Sequence, residues 1–189
     1  MTNICWGTRR PDGFSAIELM MTMGVMSVVG SMAAFQIGLS QPSLKGDGAM
    51  RVVIAQLNTA RELAITQRRN IQVNFNGTDV VQLVRQDVPA GTTTIATIPF
   101  EGAATYGLIT GIPDTPDAFG NHVPIDFGAA TSIRFSSDCT VIDQLGNPIN
   151  GTVFLQVGNS WTSARAVTIL GATGRIRGYR WEGKHWVLV

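Results

Sequence analysis

The sequence predicts an α+β chain, with a long N-terminal α-helix that enters a membrane and an antiparallel β-sheet globular domain after it. Three observations lead there. Residues 13–39 form an apolar run whose single charge is Glu18. From Met50 onward, apolar residues recur at helical spacing. Beyond Asn70 the period drops to two, the signature of strands with one buried face. The expected organisation is a leader over 1–13, a transmembrane helix over 14–39, an amphipathic second part of the helix over 40–69, and a β domain over 70–189.

The chain has 189 residues, 14% of them charged, with 21 glycines and a net charge of +1. That length holds one core plus an anchor, and the composition is not that of a disordered chain. The overall charge gives no reason to expect a nucleic-acid partner, but its distribution is uneven. Residues 71–164 hold eight acids and two arginines, whereas Arg165, Arg175, Arg177, Arg180 and Lys184 follow with Glu182 as the one acid among them. The two cysteines, Cys5 and Cys139, lie on opposite sides of the apolar run. Loss of a leader would therefore leave Cys139 without a partner in the chain.

The first thirteen residues are short and polar and carry Arg9 and Arg10, which favour a cytoplasmic leader. The apolar run is about 26 residues, or about 39 Å as a helix, against the roughly 20 residues that a bilayer core requires. A secretory signal is cut after its apolar core. Here the plausible cut, Gly13-Phe14, precedes the core and would leave an anchor on the protein.

Gly13-Phe14-Ser15-Ala16-Ile17-Glu18-Leu19-Met20 resembles the class III signal of type IV pilins and pseudopilins. The resemblance implies that a prepilin peptidase cuts after Gly13 and methylates the new N-terminal Phe14. Glu18 is then the fifth mature residue, where the family has its Glu. Physical chemistry agrees, because a lone carboxylate in lipid is costly and seeks a cation. In a stack of subunits the neighbour's terminal amine supplies one. Small residues Gly24, Ser27, Gly30 and Ala34 permit close helix approach.

Ser40-Gln41-Pro42-Ser43 and Gly46-Asp47-Gly48 are expected to interrupt the helix, since Pro and Gly disfavour helix interiors. Asp47 is then the candidate cap of a second helix. Many pilins carry a Pro within the membrane helix. Phe35 stands at the matching position here, which shifts the expected melting point to residues 40–48. Met50, Val53, Ile54, Leu57, Ala60 and Ala64 share one face, with Arg51, Arg61 and Arg68 on the other. This helix is expected to run to about Arg69 and pack on a sheet.

Ile71, Val73 and Phe75 alternate with polar residues, and Asn76-Gly77 marks a hairpin into 80–84. Further strands are expected over 92–98, 132–135, 152–157, 164–170, 175–181 and 184–188. Pro113, Pro116 and Pro124 mark 102–130 as a loop region, and its Asp114, Asp117 and Asp126 are expected to be a solvated acidic stretch. Calcium is the other reading of those carboxylates, although their spacing is not that of an EF-hand.

Residues 57–65, followed at once by a hairpin, together with Phe135-Ser136-Ser137-Asp138 and Leu145-Gly146-Asn147-Pro148, are similar to the GspH/FimT family of minor pseudopilins and pilins. The resemblance implies a filament subunit acting in initiation or at the tip of a type IV pilus or type II secretion pseudopilus. Its partners would be other pilins, the prepilin peptidase and the cytoplasmic (inner) membrane, with the β domain on the extracytoplasmic side. Some FimT-like members bind DNA in natural transformation through a Gly-Arg-x-Arg motif, which Gly174-Arg175-Ile176-Arg177 matches. Arg175, Arg177, Arg180 and Lys184 are therefore candidate DNA-binding residues. On a strand, Arg175, Arg177, Tyr179 and Trp181 share a face, an arrangement of guanidiniums and aromatic rings that suits phosphates and bases. The alternative is that Trp181 and Trp186 are core residues and the arginines are solvated beside them.

Nothing points to catalysis. His122 and His185 are the only histidines, Cys139 has no Cys-x-x-Cys partner, and no phosphate loop or nucleophile elbow occurs. No catalytic residue, metal ligand or cofactor is expected, and an anchored enzyme with an unfamiliar site is the remaining rival.

Overall fold

A computed structural model describes residues 13–120, 122–130 and 132–189. The expected leader, with Cys5, Arg9 and Arg10, otherwise lies outside them. The chain divides into two compact units, Met1–Ser40 and Gln41–Val189. In the described part of the first, the side chains over 13–38 are exposed and the backbone is helical from Ala16.

The helix α1 spans Ala16–Gln67 and contains Pro42. The expected interruption at 40–48 is therefore absent, and Asp47 is an interior helix residue rather than a cap. The reason lies in what packs against residues 41–48 inside the second unit, to which they belong. Gly46 is buried, and a Cβ there would stand 2.5 Å from the carbonyl oxygen of Ser163. Glycine here permits contact between helix and backbone instead of breaking the helix. The helix stops in a Schellman arrangement. Arg68 takes a left-handed φ of 49°, its N–H reaches Ile65 O, and Arg69 N–H reaches Ala64 O.

Among the described residues eleven strands follow: β1 (Ile71–Asn76), β2 (Val80–Gln86), β3 (Thr92–Pro99), β4 (Ala104–Tyr106), β5 (Ile125–Asp126), β6 (Ser132–Phe135), β7 (Val141–Ile142), β8 (Gly151–Val157), β9 (Arg165–Leu170), β10 (Arg175–Trp181) and β11 (Trp186–Leu188), with a 3-10 turn at Trp161–Ser163 before β9. They form two antiparallel sheets, β3-β2-β1-β6-β7 and β11-β10-β9-β8-β4, with β5 also on β8. The long helix and antiparallel sheets are as the sequence predicts. The short strands β4, β5 and β7 are additions, because two or three residues are too few to show a period.

Within the second unit, Met50, Val53, Leu57, Ala60 and Ala64 are buried, as the helical spacing requires, and Ala49 joins them. They share one core with Val73 and Leu83 of the first sheet and Val153, Val167 and Ile169 of the second. On β10, a Cβ at Gly178 would come within 2.9 Å of Ile54, so glycine lets the helix sit close to the sheet.

The other face of the second sheet carries a second core. Phe154, Ala166, Tyr179, Trp181 and Trp186 pack there with Ile109 and Ile112. The Trp181 and Trp186 rings meet edge-to-face at 5.4 Å. The loop between β4 and β5 thus covers the sheet, which corrects the expectation of a solvated stretch. Trp186 Nε1 donates to Pro113 O at 2.8 Å, and Thr115 is buried.

Candidate functional sites

The N-terminal site lies in the first turn of α1. Glu18 N–H bonds Ser15 O at 3.0 Å, and Glu18 is the acid of that turn. Phe14 is 81% exposed, and Ile17, Met20, Val25, Val29 and Met32 are exposed as well. Among the described residues this is one helix long and apolar enough to cross a membrane. An apolar helix with exposed side chains all round is compatible with membrane anchoring.

The C-terminal candidates do not form one patch. Arg175 is exposed at the start of β10 and makes no ion pair among the described residues. Arg177, on the same face, is held: its Nη1 donates to Asp117 Oδ1 at 2.9 Å, with its side chain 35% exposed. Asp117 Oδ2 also accepts from Thr168 Oγ1 at 2.6 Å and Tyr179 Oη at 2.9 Å. Burial pushes the Asp117 carboxyl up, but the hydrogen bonds from Thr168 and Tyr179 and the Arg177 charge outweigh it and hold it below its usual range. Burial, reinforced by the bond to Asp117, raises the Tyr179 hydroxyl. Register explains the cluster. Arg177 pairs with Thr168 across β10–β9, so both side chains rise on the side that the loop covers.

Arg180 is spent on Glu182 at 3.0 Å, and Lys184 is exposed in the turn before β11. Trp181 and Trp186 are buried, as in the alternative reading, and so unavailable to bases. Gly174 has its own structural reason: its φ is +60°, and a Cβ would collide with the Cys139 carbonyl oxygen.

Arg165, last of the basic group in exposure, is fully buried. Its Nε donates to Asp47 Oδ1 at 2.6 Å, Nη1 to Thr162 O and Ala164 O, and Nη2 to Ser43 O and Oγ. All five guanidinium protons are used. Nothing in the local residue pattern foretells this site beyond an arginine opening an apolar strand. Asp114 is likewise turned inward, accepting from Thr115 N and Gly120 N, and Asp126 Oδ1 accepts from Gly128 N.

No family model matches the chain, and no curated protein matches it. Among solved structures it is similar to the type IV minor pilin FimU of Pseudomonas aeruginosa (strain PAO1). The identity is 15%, the match covers 75% of this chain and 91% of that one, and the TM-score is 0.49.

Proposed function

We propose that the protein is a membrane-anchored filament subunit, a minor pilin or pseudopilin, processed at Gly13-Phe14 and acting in filament initiation or tip assembly. One observation carries the reading. The helix that follows Gly13 exposes its apolar side chains and bears Glu18 in its first turn. A helix of this kind sits in lipid before assembly and against neighbouring helices after it. Cleavage would create the Phe14 amine, and Glu18 of one subunit pairs with that amine on the next. Docking is then strongest where the carboxylate is out of water. The β domain stays on the extracytoplasmic side.

Mass spectrometry of the protein extracted from membranes that contain an active prepilin peptidase tests this. The expected species begins at an N-methylated Phe14. A chain that still begins at Met1 would overturn the reading.

A second reading, DNA binding in uptake, is favoured by the exposure of Arg175 and Lys184 without carboxylate partners among the described residues. Arg177 and Arg180 contribute less to it, since each already holds an acid.

A further inference from the structure

Of the tryptophans in the described residues, Trp181 and Trp186 are buried and Trp161 is 54% exposed. Trp161 stands over an open groove of about 570 Å³ whose walls include Ile109, Ile112, Trp181 and Lys184. The turn that carries it is fixed. Ser160 O accepts from Ser163 Oγ at 2.6 Å, Val157 N–H reaches Ser163 Oγ at 2.9 Å, and the buried Arg165 takes Thr162 O at 2.8 Å. The indole also lies against Gly183, where an added Cβ would meet the ring at 3.1 Å. A rigid, half-open indole loses little conformational freedom on binding and offers a flat face.

The charge beside the groove has one sign to spare. Glu182 is neutralised by Arg180 at 3.0 Å. Lys184 has no acidic partner among the described residues. A ligand that suits this place is planar on one side and anionic on the other. We propose that the Trp161–Lys184 groove is a stacking subsite for one nucleotide of a single-stranded nucleic acid, with the base on the indole and its phosphate at the Lys184 ammonium. Sugars are less well served. The side chains of the groove are two isoleucines, two indoles, the Thr110 hydroxyl, the engaged Glu182 and Lys184, which leaves few groups to bond a ring of hydroxyls. A duplex is also excluded from stacking, because its bases are not open to a side chain. The subsite is separate from Arg175, which opens the seven-residue strand that ends at Trp181. It deepens the second reading above and rests on it.

The test uses the full chain in mild detergent and a fluorescein-labelled oligothymidylate of about 12 nucleotides, within the usual single-strand site size, followed by polarisation at several salt concentrations. Wild-type protein binds the single strand more tightly than a duplex of equal length. Trp161→Ala weakens binding about tenfold, the loss of one stacked base, and leaves the salt slope unchanged. Lys184→Ala lowers the slope by about 0.7, one phosphate contact on a single strand. Trp161→Phe, which keeps a ring, retains most of the affinity, and its urea midpoint confirms folding. The subsite is overturned if Trp161→Ala binds like wild type, if the duplex binds as tightly, or if an acidic oligosaccharide binds where the oligothymidylate does not. If binding depends on Arg175 alone, the subsite falls and the second reading stands. If wild type binds no oligothymidylate even at low salt, both fall, and the processing result still decides the filament reading on its own.

Discussion

Arg165 and Asp47, 118 residues apart in sequence, meet at 2.6 Å with the guanidinium fully buried. The pair ties β9 to the middle of α1 within the second unit. It also explains how a stretch containing Pro42, Gly46 and Gly48 stays helical. Intrinsic preference there is poor by roughly 3 kcal/mol for the Pro and about 1 kcal/mol for each Gly. Hydrogen bonds from Arg165 to the Ser43 carbonyl and hydroxyl, and the close seat of Gly46 on Ser163, offset that preference.

Removal of one partner should be severe. Asp47→Ala leaves an uncompensated buried charge and is expected to cost about 3–5 kcal/mol. Arg165→Lys should not restore stability, because an ammonium cannot reach five acceptors in that fork. Urea unfolding of the full chain in detergent, followed by tryptophan fluorescence, checks both. A midpoint unchanged in Asp47→Ala would mean that the pair is not a stabilising element.

Asp117 gives a pH prediction. Its folded pKa is depressed, so its contribution is present above the unfolded value, near 3.9. It is lost as pH falls through the folded value. Wild-type stability should therefore drop below about pH 4 more steeply than that of Asp117→Asn, which has no such proton to bind. Urea midpoints at neutral pH and at successively lower pH, compared between the two proteins, supply the measurement. Parallel curves would remove Asp117 from the acid response.

Gly174 should tolerate no side chain. Gly174→Ala combines a left-handed backbone with a collision against the Cys139 carbonyl, for an expected loss of about 1–3 kcal/mol. Arg175→Ala, at an exposed position of the same motif, should change stability by no more than about 0.5 kcal/mol. Thermal melts of the two variants separate the motif's structural glycine from its free arginine. Equal losses would show that Arg175 is structural too.

Glu18→Val should preserve membrane insertion, because it removes an ion from an apolar helix. On the proposed filament reading it should also weaken association with a neighbouring subunit, because the amine that cleavage would create at Phe14 would lose its counter-charge. Carbonate extraction reports insertion, and cross-linking to co-expressed pilins reports assembly. Undiminished cross-linking would deny the carboxylate a pairing role.

The arginines of the Gly174–Arg177 motif look alike in sequence, yet the structure separates them. An alternation of side chains was legible, since period two follows from strand geometry. What stands over each side chain was not. Asp117 reaches Arg177 from a loop 60 residues away, and no local pattern encodes that approach. The same holds for Trp161, whose exposure depends on how the β10–β11 turn meets it.

By itself the sequence determined the features with short-range causes. These are the apolar helix and its lone Glu18, the helical spacing from Met50 to Ala64, the main strands, and the change of period at Ile71. Each rests on residues within a few positions of one another. The tertiary structure alone decided that Pro42 and Gly46 lie inside a helix, that Arg165 is buried while Arg175 is exposed, and that the Asp117 loop is packed. Those outcomes depend on charges and backbone brought together across more than 50 residues, where close packing and desolvation outweigh local preference.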